Sequence, residues 1–422
     1  MDQNEDSGNH HQAQLEFIDE LLRTRFQVSV GRTNIKPVQD SRKTFPGPEV
    51  LTYQISLDTP ITTTNDGTNQ INSLQPGCVA IPKGTEVFVV RLIKLGGKRI
   101  RVKQNNSIVE NEVAIMSLAS AALQKSAPNI VPRVYAWGSA DVKTDQPESS
   151  SQGWILLESI SGRRLADVYD DMGPGQKRSL FTQVSVLLKS FQTFTLPAGI
   201  TRFGQVTYED DGQIVSKETG SWPSYEAYFR GRLEAALREA DHDEHIKGWV
   251  DDGLRERLGN FVTQGLSAHF EELGSKEEKV VTHAVINPDN ILFDPESGQI
   301  IGLTGYESAC ILHPSYEFFR ILSGLSDHDV ADEREGGNAT GASATTEDSR
   351  AFRDVLRAAD IKHPQSIEGF GKVAKVDAVL QAIRPLSLVD TKTLELQTRE
   401  AIMQSRDEKK KSLSKLLDRL GY

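Results

Sequence analysis

Thr282-His283-Ala284-Val285-Ile286-Asn287-Pro288-Asp289-Asn290-Ile291-Leu292 is the stretch on which the reading of this chain turns. Its two framing polar residues are His283 and Asn290, and between them stand Ala284 and Val285. Valine has no lone pair to offer a proton or a metal, so position 285 cannot act as a general base. A second stretch follows, Gly298-Gln299-Ile300-Ile301-Gly302-Leu303-Thr304-Gly305-Tyr306-Glu307-Ser308-Ala309, in which Gly305 is equally without a ligating group.

The two stretches resemble motifs of the aminoglycoside phosphotransferase-like kinase family. Members carry His-Gly-Asp-Leu, three residues, then Asn, and downstream Gly-x-Ile-x-Gly-Ile-Ile-Asp-Trp-Glu-x-Ala. Here the catalytic aspartate is replaced by Val285 and the metal-binding aspartate by Gly305. In a phosphotransferase the first orients the acceptor hydroxyl and takes its proton, and the second holds magnesium beside the phosphates, helped by the asparagine that Asn290 resembles. The hairpin the family implies between the two motifs turns at Pro295-Glu296-Ser297-Gly298, which keeps Asn290 and Gly305 in register.

Working outward, Glu86 to Ile93 reads as a strand with Val87, Val89, Arg91 and Ile93 on one face. Arg91 is thus an inward charge, and it resembles the cation that kinases present to nucleotide phosphates. Ser107-Ile108-Val109-Glu110 fits a capping box opening a helix to about Gln124, on which Glu112 resembles the family's ion-pairing glutamate. Val131-Pro132-Arg133-Val134-Tyr135-Ala136-Trp137-Gly138 matches the family's next strand closely. Trp154 to Glu158 follows as the last small-lobe strand, and Glu158-Ser159-Ile160-Ser161-Gly162 as a hinge whose Glu158 and Ile160 would border an adenine.

Leu180, Val184, Leu187, Leu188 and Phe191 make the apolar stripe of a central large-lobe helix. Residues 223–240 and 246–270 continue helically and resemble the inserted helices that shape an acceptor pocket. Pro314-Ser315-Tyr316-Glu317-Phe318-Phe319 resembles another family segment. The resemblance implies an α+β, bilobal protein-kinase-like fold. Residues 1–79 are expected as an N-terminal extension with residues 1–13 disordered and a short helix over Leu15 to Arg25, 80–158 as the small lobe, and 159–422 as the helical large lobe, with a disordered loop at about 326–350.

A net charge of −11 over 422 residues argues against nonspecific nucleic-acid binding, and a basic run from Lys94 to Lys103 reads as a solvated turn around Gly96-Gly97. No apolar run suits a membrane span, and the first residues lack the features of a signal peptide, so a cytoplasmic location is expected. Cys78 and Cys310 are too few for a disulfide framework.

Three functions fit these observations. One is a pseudokinase whose interlobe cleft binds a small metabolite or a partner. Another is a kinase-fold enzyme turned to a different reaction in a biosynthetic pathway, such as a cyclisation or isomerisation, with His283, Glu307 or residues of the inserted helices as acid and base. The third is an atypical phosphotransferase in which Asp289 or Glu307 takes over a metal or base role. Neither cofactor nor metal is expected under the first two, whereas ATP and magnesium, with Asn290 as the residual ligand, belong to the third.

Overall fold

The computed structural model describes residues 3–26, 34–38, 49–62, 74–94, 102–139, 153–322 and 346–422. The small lobe opens with helix α1 (Gln3–Phe26) and strands β1 (Ile35–Pro37), β2 (Glu49–Ser56) and β3 (Val87–Lys94). Helix α2 (Val102–Leu123), β4 (Val134–Gly138) and β5 (Gly153–Glu158) complete it. The five strands form one antiparallel sheet in the order β1-β2-β3-β5-β4.

Alternation along β3 decides what each face of the sheet does. Phe88, Val90 and Leu92 are buried toward α1, beneath Ile18, Leu21, Leu22 and Phe26, while Ile93 is buried toward α2, against Val109, Val113 and Met116. Arg91 shares the α2 face with Ile93 and is therefore a charge pointed inward.

The small lobe thus begins well before residue 80. β1 and β2 are part of its sheet, and α1 is its outer cover, with Tyr53 donating to Gln14 Oε1 at 2.5 Å. Helix α1 also starts at Gln3 rather than Leu15. Its docked turns at Ile18 to Phe26 supply the costly nucleus, and the polar turns before them need only propagate. Similarly, α2 starts at Val102, so Ser107 lies inside it and not at its cap. The Gly96-Gly97 turn and most of the loop at 326–350 lie outside the described residues.

The large lobe continues with β6 (Arg163–Arg164) and α3 (Pro174–Thr193), whose Leu180, Val184, Leu187, Leu188 and Phe191 are all buried. A hairpin absent from the sequence reading comes next, β7 (Phe203–Tyr208) and β8 (Ile214–Trp222), and then α4 (Tyr225–Asp241), capped by Ser224 accepting from the Ala227 N–H at 3.1 Å. Within residues 246–270 the chain is broken by left-handed residues at Gly248 and Asp252, and from α5 (Leu254–Asn260) it continues helically to His269 through a π turn at Phe261–Gly265.

Short strands β9 (Val280–Thr282), β10 (Ile291–Asp294), β11 (Gln299–Leu303) and β12 (Cys310–Leu312) then carry the site. They form the sheets β11-β10-β6 and β8-β7-β12-β9. Pairing of Ile291 with Leu303 sets Asn290 and Gly305 at neighbouring ends of the β10–β11 hairpin. Helices α6 (Thr346–Ala358), α7 (Phe370–Ile383), α8 (Leu386–Val389), α9 (Thr391–Glu395) and α10 (Arg399–Asp418) close the lobe. This is a bilobal, protein-kinase-like α+β architecture. No helix among the described residues is long and apolar enough to cross a membrane.

Candidate functional site

Where the lobes meet, one cation is shared by two anions. Arg91 Nη1 is ion-paired with Glu112 Oε1 from α2, and Arg91 Nη2 reaches Glu307 Oε2 from the large lobe at 2.9 Å. Glu112 is fully buried, Arg91 is 8% exposed, and the Glu307 side chain is 17% exposed. Two carboxylates on one guanidinium leave the group with a formal charge of −1. An arginine so engaged offers little to a phosphate, which would have to displace a carboxylate of like sign.

The residues before Glu112 hold α2 in place. Asn111 is buried, its Oδ1 accepting from the Val206 N–H at 3.0 Å and its Nδ2 donating to the Ala309 carbonyl at 2.9 Å. Glu110 accepts from the Tyr208 N–H at 3.3 Å and pairs with Lys217 Nζ at 3.3 Å, so it serves β7 and β8 and not a helix cap. Two consecutive side chains of α2 thus fasten the small lobe to the large one. Asn111 was not singled out in the sequence, where nothing separates it from other asparagines.

On the opposite wall, β9 runs into the loop that begins at His283. The ring of His283 is fully buried, with Nε2 2.9 Å from the Thr304 carbonyl and the ring edge-on to Tyr306 at 4.6 Å. That is the geometry of a framework residue. Ala284 has φ +70°, a left-handed conformation that costs a side-chain-bearing residue about 1–2 kcal/mol. Glu317 holds the strained backbone, its Oε2 accepting from the N–H groups of His283 at 2.7 Å and Ala284 at 3.1 Å.

Burial pushes the Glu317 carboxyl up to about 7, against the opposing pull of these backbone donors. The sequence signal for Glu317 was a carboxylate inside the otherwise apolar run around Tyr316 and Phe318. Val285 is buried and packs with the large-lobe core.

Asn290 does not face the cleft as a ligand would. It is 1% exposed, and its Nδ2 donates to the Val285 carbonyl at 2.8 Å, closing the loop on itself. Gly305 lies against it with φ +85°, and a Cβ placed there would touch the Asn290 carboxamide, with Cγ 2.6 Å and Nδ2 2.8 Å away. Asp289 turns elsewhere, 3.7 Å from Arg164 on β6. Among the described residues no three or more of His, Cys, Asp and Glu come together as a metal site.

The two hinge residues behave differently. Glu158 closes the end of β5, its carboxylate accepting from the Arg133 N–H at 3.1 Å and ion-paired with the Arg133 side chain, while its own N–H bonds the Arg133 carbonyl at 2.9 Å. Ile160 lies over the β10–β11 hairpin, 3.3 Å from where a Gly302 Cβ would stand. The structure therefore brings Arg91, Glu112 and Glu307 together, and sets Asn290 and His283 into the loop's own framework.

The model of the phosphotransferase enzyme family matches residues 78–367. The chain belongs to that family. Among solved structures, this family member is similar to a putative aminoglycoside phosphotransferase from Ralstonia eutropha, 12% identical over 96% of this chain and 98% of that one, with a TM-score of 0.49. It is also similar to the ADP-bound aminoglycoside phosphotransferase APH(2'')-Ib, 11% identical over 95% of this chain and 98% of that one, TM-score 0.49. A third is the streptomycin–ATP complex of APH(2'')-IIa, 11% identical over 95% of each chain, TM-score 0.48. None of the curated proteins matches it. In this family member Val285 is a buried core residue and Gly305 is a glycine that Asn290 crowds.

Proposed function

We propose that this member of the phosphotransferase enzyme family is a pseudokinase, in which phosphotransfer has been lost and the interlobe cleft serves to bind a small metabolite or a partner. One observation carries the reading: the Asn290 carboxamide fills the space beside Gly305 that a metal-binding carboxylate would need. The residues present do not fit a magnesium–nucleotide group. Val285 offers no base, Asn290 is spent on the Val285 carbonyl, and Arg91 is neutralised by Glu112 and Glu307.

The competing readings lose support from the same geometry. Acid–base chemistry through His283 would need a ring that reaches a ligand, and this one is fully buried and bonded to Thr304. An atypical phosphotransferase would need Asp289 or Glu307 at a metal, and both are turned toward arginines. A cytoplasmic location is part of the proposal. The two thiols are free, and burial pushes both up to about 12, so neither is a reactive thiolate near neutral pH.

The test is turnover. Purified protein incubated with ATP and magnesium should release no phosphate above a protein-free blank, with or without added small-molecule acceptors. Phosphate release that depends on this chain would overturn the proposal.

A further inference from the structure

Away from the interlobe ion pairs, α4 carries an arginine that no carboxylate meets. Arg232 Nη1 donates to the Tyr228 hydroxyl at 3.0 Å, with the guanidinium carbon 5.7 Å from the centre of that ring. No acidic group among the described residues lies within ion-pair distance of it, in a chain with 59 acidic and 48 basic residues. Arg232 sits deep within the large lobe and yet keeps accessible surface. Arg232 is therefore a partly exposed cation set beside buried tyrosines.

The surroundings are built for an anion. Tyr228, 3% exposed, passes its own proton to the Tyr316 hydroxyl at 3.3 Å, which leaves it an acceptor toward Arg232. Arg320 lies over the Tyr316 ring at 5.4 Å, and Asp377 pairs with it at 2.9 and 3.0 Å. The Arg232 and Arg320 guanidinium groups are close enough to repel one another. Asp377 pairs with Arg320, and no carboxylate among the described residues pairs with Arg232. Trp222 stands edge-on to Tyr228 at 5.3 Å and forms an aromatic flank.

We propose that this patch of the large lobe, with the partly exposed Arg232 as its principal contact and Tyr228, Tyr316 and Arg320 behind it, binds the oxyanion of a small organic acid, a carboxylate or a phosphate. A guanidinium on an aromatic platform is the side chain suited to such a group, since its planar fork meets two oxygens at once. The site uses none of the residues at Arg91, so it stands or falls independently of the pseudokinase reading.

Calorimetric titration at constant ionic strength tests it, with inorganic phosphate in one arm, benzoate in a second and chloride as control. Saturable binding of phosphate or benzoate is expected, and which one binds identifies the class. Arg232→Gln should weaken that binding about tenfold or more, the worth of a charge-assisted hydrogen bond. In the absence of anion the variant should unfold no more easily than the parent, because a like-charge repulsion has been removed. Absence of saturable binding by either anion, binding unchanged in Arg232→Gln, or an anion-free variant clearly less stable than the parent would each overturn the proposal.

Discussion

Asn290 and Gly305 share one space: the carboxamide of the first lies where the second would carry its side chain. The two positions are therefore one packed unit. With a glycine at 305, Asn290 is free to fold inward and bond the Val285 carbonyl, and once it has done so no side chain fits at 305. The lack of a side chain at 305 and the inward packing of the asparagine reinforce each other.

Restoring a side chain at this point should be costly. Gly305→Ala is expected to destabilise the chain by about 2 kcal/mol or more, from left-handed strain plus the displaced carboxamide. Gly305→Asp should cost at least as much and confer no magnesium-dependent nucleotide binding. Urea denaturation of the two variants beside the parent gives the comparison.

Arg91 holds two carboxylates, one of them fully buried, so its removal leaves Glu112 charged and without its partner. Arg91→Met should cost about 3–5 kcal/mol, and Arg91→Met with Glu112→Gln should recover much of that loss. A double-mutant cycle by chemical denaturation reads the coupling directly. Additive losses would mean that the pair is not the reason Glu112 is tolerated inside.

Asn111 joins the lobes through two buried backbone groups, the Val206 N–H and the Ala309 carbonyl. Asn111→Ala leaves both unpaired and is expected to cost about 2–3 kcal/mol. Amide exchange should rise at Val206 in particular, which distinguishes loosening of this joint from general destabilisation.

Glu317 gives a pH dependence of unusual sign. Its carboxyl titrates at about 7 when folded against an ordinary value of 4.5, so between these limits the folded chain holds a proton that the unfolded chain has lost. Stability contributed by this group is complete below about pH 4.5 and falls by about 3 kcal/mol as pH rises to about 7. Glu317→Gln should flatten that slope in unfolding measured from pH 4.5 to 7.5.

The sequence carried the fold through features that are local. The β10–β11 hairpin, the strand around Trp137 and the α3 stripe each depend on periodicity or a turn of a few residues. The β7–β8 hairpin has a turn signal at Asp211-Gly212, but no long alternation of apolar residues flanks it to mark the two strands. β1 and β2 escaped for a different reason: strand identity there comes from pairing with β3, far along the chain.

At the site, the chemistry that Val285 and Gly305 cannot perform was legible in their side chains alone. The inward packing of Asn290, the second carboxylate on Arg91 and the anchoring role of Glu317 were not, because each depends on where a side chain points in the packed fold.

The central claim is that the cleft no longer accommodates a magnesium–nucleotide group, and calorimetric titration of the purified chain with ATP, with and without magnesium, tests it most directly. The account predicts no saturable heat that depends on magnesium, and an unfolding temperature in ATP that magnesium does not change. Saturable binding that requires magnesium would contradict it, since it would mean that Asn290 and Glu307 leave their present partners to serve a metal.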